Sequence, residues 1–131
     1  MVSRWPVLLS FPVAHADCDD DGRMTEAAVE RAFALARATY FERCTTVDAS
    51  TLEITSSAVQ PGNAPAHGHV TVSVNVTEVF PDRFTMIARL RPGVGDGIAA
   101  TAWCSLSPGG MVPTAMRDEF IALAHAAAHI H

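Results

Sequence analysis

The stretch DCDDDGRMTEAAVERAFALARATYFER, residues 17 to 43, decides how the rest of the chain is read. Its first part alternates Asp17, Asp19 and Asp21 ahead of Gly22, and its second part is a long alanine-rich run. The run predicts a helix over 25–43. Thr25 is placed to cap the first turn, and Glu26 puts a negative charge where the helix dipole favours one. Met24 and Val29 have the spacing of a hydrophobic staple. Val29, Phe33, Ala36 and Tyr40 recur at four, three and four residues, which makes one apolar stripe. Alanines at 27, 28, 32, 34, 36 and 38 keep the helix slim enough to lie deep inside a curved sheet.

The flanking segments alternate instead. Before the helix, Leu9, Phe11 and Val13 interleave with Ser10, Pro12 and Ala14, so residues 6–15 predict a first strand. After it, 51–59 is the weakest strand, with Leu52 and Ile54 on one face. Val70, Val72, Val74 and Val76 define a clear one. Phe84, Met86, Ala88 and Leu90 define the next, and Ile98, Ala100, Ala102, Cys104 and Leu106 the last. PGNAPAHG, Pro81-Asp82, RPGVGDG and SPGG supply the breaks. Pro113 and Thr114 open a final helix over 114–128, with Met116, Phe120, Leu123 and Ala124 on its apolar side and Arg117, Asp118 and Glu119 on the other. Short turns between successive strands predict a mainly antiparallel α+β fold, one sheet layer with a helix against it.

A chain of 131 residues with 49% hydrophobic and 18% charged residues is expected to pack as a single domain, 1–131. All nine basic residues are Arg, and the net charge is −5. With no basic run, nucleic acid is not an expected partner. No apolar run reaches the ~20 residues that a membrane span requires. Cys18, Cys44 and Cys104 form neither a disulfide framework nor a metal knuckle and read as thiols in a reducing compartment. Arg4 followed by WPVLLSFPVAHA superficially resembles a secretion signal with cleavage after Ala16. Pro6 and Pro12 break its apolar segment, and the strand reading makes the protein cytoplasmic.

The aspartates match a calcium loop at its first, third and fifth positions, with Gly22 at the sixth. The twelfth position, which needs a bidentate Glu, is Ala28, and the preceding segment is no helix. Four acidic side chains in five residues repel one another, a cost tolerated most readily at a functional site. They sit directly before a helix N-terminus, whose free N–H groups can hold an oxyanion. A carboxylate beside amide donors is the pair that acyl transfer requires.

The segment D-C-D-D-D-G, followed by a helix containing F-x-x-A-R-x-x-Y-F, resembles the 4-hydroxybenzoyl-CoA thioesterase group of hotdog-fold enzymes. Asp17, Asp19 and Gly22 match the D-x-D-x-x-G motif of that group; Phe33, Ala36, Arg37, Tyr40 and Phe41 fit the helix after it. The order β-α-β-β-β-β agrees over about residues 5–107. The resemblance implies a curved antiparallel five-stranded sheet wrapped around a long central helix, plus a C-terminal helix. It also implies a homodimer or homotetramer that hydrolyses an acyl-CoA or acyl-carrier-protein thioester. Asp17 becomes the nucleophile or general base, the Met24 backbone N–H an oxyanion donor, and Thr25 and Glu26 orient water or substrate. Arg23 stands where the group has His, and with Arg89 and Arg91 it is a candidate for binding substrate, the latter two through CoA phosphates. No metal or bound cofactor is implied. This chain has G-R-M-T-E-A-A-V where many members have G-H-V-N-N-x-x-Y. The alternative is therefore a non-catalytic domain that binds an acyl ligand or a protein partner.

The histidines read more simply. His125, His129 and His131 lack a glutamate of the HExxH kind and make a surface cluster. His67 and His69 flank a glycine at a strand entry and read as loop residues.

Overall fold

The computed structural model of the chain describes residues 7–66, 68–93, 95 and 97–128. Strand β1 (Val7–Pro12) leads through a 3-10 turn, His15–Asp17, to helix α1 (Glu26–Arg43). Strands β2 (Glu53–Pro61), β3 (His69–Val79), β4 (Phe84–Pro92) and β5 (Ala100–Ser107) follow, and helix α2 (Thr114–Ala128) comes last. The five strands form one antiparallel sheet in the order β1-β3-β4-β5-β2.

The period-two pattern sorts the sheet faces. Val70, Val72, Val74 and Val76 of β3, Phe84, Met86, Ala88 and Leu90 of β4, and Ala100, Ala102, Cys104 and Leu106 of β5 are all buried. They meet Ala28, Val29, Ala32, Phe33, Ala36, Tyr40 and Phe41 of α1 in one core. At the far end of the helix, Phe120 of α2 lies 4.7 Å from the Phe84 ring and 6.2 Å from that of Tyr40, so α2 closes the core there. Burying each large apolar side chain contributes about 1.5–3 kcal/mol, and the valine and aromatic rows make this seam the main source of stability.

Most boundaries agree with the sequence reading, and α1 begins after Thr25, whose hydroxyl accepts from the Ala28 N–H at 3.2 Å. Met24 and Val29 are both buried, as the staple requires. Three strands depart from that reading: β1 spans Val7–Pro12 rather than 6–15, β5 starts at Ala100 rather than Ile98, and β2 is shifted as a whole. It starts two residues later than expected, because Asp48 accepts from Ser50 N and winds Ala49–Thr51 into a 3-10 turn. Ile54 remains 47% exposed, since β2 is an edge strand and only its Val59 is half-buried. Just past β2, Gly62 abuts the Ile98 carbonyl so closely that a Cβ would lie 1.8 Å from the oxygen.

Cleavage after Ala16 would remove β1, which pairs with β3 from Val7 to Pro12. Arg4 and Pro6 at the start of that signal-like segment lie outside the described residues, as do His67, His129 and His131. His125 is exposed on α2, and His69 is exposed beside Gly93. Among the described residues, no group of three His, Cys, Asp or Glu side chains is placed to hold a metal. No helix is long and apolar enough to cross a membrane among them.

Candidate active site

The acidic loop folds back on itself. Asp19 N donates to Arg23 O at 2.8 Å, and Thr25 N to Asp17 O at 2.8 Å, so the two arms run antiparallel with Cys18 facing Met24. Gly22 turns the chain at a φ of 78°, a left-handed value that glycine adopts without cost. Its carbonyl accepts from Ala66 N at 3.0 Å, which ties the loop to the approach to β3. The Asp19 carboxylate is turned inward, with Oδ1 accepting from the N–H groups of Asp21 and Arg23 at 2.9 and 3.1 Å. That is the role of a frame residue. It also withdraws the middle ligand of the calcium pattern.

Asp17 is held differently. Its side chain is 15% exposed. Oδ1 accepts from the Arg31 guanidinium, one and a half turns into α1, and Oδ2 accepts from Ala14 N at 2.9 Å. Arg31 carries no local signal in the sequence; only the fold of the loop against the helix brings it to Asp17. Aspartates 20 and 21 are exposed.

The two backbone donors at the helix start divide. Thr25 N–H is already given to the Asp17 carbonyl, so it is not available. Met24 forms a non-hydrogen-bonded pair with Cys18, which aims its N–H away from Cys18, and no described residue accepts from it. A cleft of about 320 Å³ opens here, lined by Arg23, Met24, Thr25 and Glu26 at the helix start and by Val59 and Pro61 of β2. The positive end of α1 faces this space. The structure thus gathers Arg23, Met24, Thr25 and Glu26 at this cleft; Asp17 begins the same hairpin, but its side chain, held by Arg31 and Ala14 N, is not among the lining residues.

Arg89 and Arg91 are elsewhere. Both are exposed on β4, Arg91 opposite Thr71 and Arg89 between Ser73 and Thr101, on the sheet face away from α1. Cys18 lies beside the carboxylates, yet burial first, and then the charges of Asp17 and Asp19, push its thiol above its usual value of 9.0. It is protonated at neutral pH and makes a poor nucleophile. Cys44 and Cys104 are buried free thiols, and burial together with the Glu119 charge pushes Cys44 up to about 12.

The fold is similar to that of several solved structures. A Thermus thermophilus thioesterase complexed with coenzyme A and zinc is 21% identical, with a TM-score of 0.76 over 95% of this chain and 98% of that one. A Jannaschia member of the thioesterase superfamily is 15% identical, with a TM-score of 0.74 over 90% of this chain and 82% of that one. A 4-hydroxybenzoyl-CoA thioesterase, solved as an aspartate-to-asparagine mutant with 4-hydroxybenzoyl-CoA bound, is 15% identical. Its TM-score is 0.70 over 87% of this chain and 97% of that one. No protein-family model matches the sequence, and no curated protein matches it. The chain has the hotdog fold, as the resemblance implied.

Proposed function

We propose that the chain, as one domain over 1–131, is a cytoplasmic acyl-CoA or acyl-carrier-protein thioesterase that works as a homodimer or homotetramer. One observation carries this reading. The hairpin that starts at Asp17 ties that residue's carbonyl to Thr25 N, so a carboxylate held by Arg31 and Ala14 N and an unengaged Met24 N–H belong to one short hairpin before α1. This is the donor-and-base pair for a thioester carbonyl, on a fold shared with thioesterase structures.

In this mechanism the thioester oxygen faces the Met24 N–H. Arg31 and Ala14 N each occupy one site on the Asp17 carboxylate, which has lone pairs left for water or for direct attack. As base, Asp17 takes a proton from water while the water oxygen bonds to the carbonyl carbon. As nucleophile, its own oxygen bonds first, and water then cleaves the mixed anhydride. Either way the C–S bond breaks, the thiolate takes up a proton, and free acid and thiol leave. Thr25 and Glu26 border the cleft where water and the acyl group meet. Arg23 at the cleft mouth, and Arg89 and Arg91 on the outer face, are placed for CoA phosphates of a thioester bound between subunits.

A second reading, a domain that binds an acyl ligand or protein partner without turnover, is favoured by the fact that both Asp17 oxygens already hold protein donors. A spectrophotometric thiol-release assay over short, long and aromatic acyl-CoAs separates the two. Turnover should fall by about a hundredfold or more in Asp17→Asn. A folded protein that releases no thiol from any of them would sink the enzyme reading.

A further inference from the structure

The cleft at the start of α1 continues along the helix. Val59 of β2 lines it, and Val59 also lines a second cavity of about 290 Å³ bounded by Phe33, Arg37, Ile54 and Cys104. The two meet at Val59, along the seam between α1 and the edge strand. Its floor is apolar: Val29 and Phe33 on the helix side, Val59 and Ile54 on the strand side. Arg37 stands at the far end. Its guanidinium lies 4.8 Å from the centroid of the Phe33 ring, and Nη1 reaches the Cys104 sulfur at 3.9 Å.

A guanidinium has five donors and is always charged, and a thiol is a weak acceptor. Among the described residues no carboxylate forms an ion pair with Arg37. Glu30 borders the same cavity, one to two turns nearer the helix start, and is not paired with it. Arg37 is half-buried, so water screens the charge less than it would on an open surface. The guanidinium is therefore stacked on Phe33, at the wall of the cavity, and without a carboxylate among the described residues.

We infer that Arg37 selects acyl groups that end in a carboxylate, an assignment that rests on the thioesterase reading of the cleft. The seam also sets a length. Phe33, over whose ring the guanidinium sits, lies nine residues beyond Met24, roughly 13 Å at helical rise. One hydrogen-bond length of about 3 Å at each end leaves about 7 Å between the thioester oxygen and the distal carboxylate. That span suits a short dicarboxylic half-thioester or a carboxylated aromatic ring.

The experiment compares thiol release from glutaryl-CoA and adipoyl-CoA with release from pentanoyl-CoA and hexanoyl-CoA, which have the same chain lengths without the terminal charge. The chain should favour the carboxylated member of each pair by about tenfold or more in kcat/KM, and Arg37→Met should bring each ratio close to unity. If the neutral thioesters are hydrolysed without any such preference, or the preference survives Arg37→Met, the inference is overturned and the thioesterase reading stands. If none of the four is hydrolysed, the two claims separate by calorimetric titration with glutarate and adipate. Binding that Arg37→Met abolishes upholds the carboxylate site without turnover, and no binding overturns it. Arg37→Gln serves in place of the Met variant if thermal melting shows the latter unfolded.

Discussion

Arg31 and Asp17 form the contact on which the site depends most directly. The side chain of Arg31 is 58% exposed and that of Asp17 15%, so the pair adds little to stability, within about 1 kcal/mol. Its effect should instead be kinetic. One carboxylate oxygen is fixed by the guanidinium and the other by Ala14 N, which leaves the free lone pairs in a set direction. Arg31→Gln should lower kcat about tenfold with a smaller change in KM and leave the melting temperature almost unaltered. Equal kinetics in wild type and variant would show that Arg31 has no positioning role. The sequence revealed Asp17 because a short acidic motif precedes a cap and a glycine turn. It concealed Arg31 because the two residues are joined by tertiary folding. Thr25 shows the opposite limit: its cap was legible from its type, but that its N–H goes to the Asp17 carbonyl was not.

The elements were legible wherever one face is buried and the other is not. α1 has a cap, a staple and a stripe, and β3 alternates cleanly; both appear where the pattern puts them. β2 did not declare its faces because an edge strand exposed on both sides places little demand on its side chains. The attachment of α2 was hidden as well. Glu119, expected on the solvent side, accepts from Thr45 N at 2.8 Å, from Thr46 N at 3.0 Å and from both threonine hydroxyls. It thereby clasps α2 to the turn after α1. Partial burial alone would raise the Glu119 carboxyl, but these four groups outweigh it and hold the carboxyl below its ordinary 4.5. A carboxyl lowered in the folded state stabilises above its unfolded value, and that contribution is lost as the pH falls below about 4.5. Glu119→Gln should cost about 1–2 kcal/mol at pH 7, or ~3–6 °C in Tm, and should flatten the acid slope of Tm between pH 5 and pH 3, to be followed by thermal melting at about half-unit pH steps. An unchanged slope would show that the clasp is not a folding contact.

At the scale of the whole molecule, the sheet ends on β2, whose outer edge is open in a single chain. Open edges of this length are usually covered. With Ile54 of β2 47% exposed, the edge presents a surface through which subunits are proposed to pair. Light scattering coupled to size exclusion should give a mass two or four times that of the chain at micromolar concentration; a monomer would contradict the pairing. The overall architecture was readable from the order of periodic segments, because that order admits few ways to cover one apolar helix. The assembly was not, since a partner's contacts leave no period in the chain. The strand order has a further consequence, for synthesis. β2 follows α1 directly, yet its only neighbour in the sheet is β5, made last of all the strands. On the ribosome, residues 53–61 must wait unpaired until Ser107 has emerged, while β1, β3 and β4 can already associate. A nascent chain stalled before Ala100 would carry an orphan strand and a half-covered helix, the kind of species that chaperones hold and that aggregates when they do not.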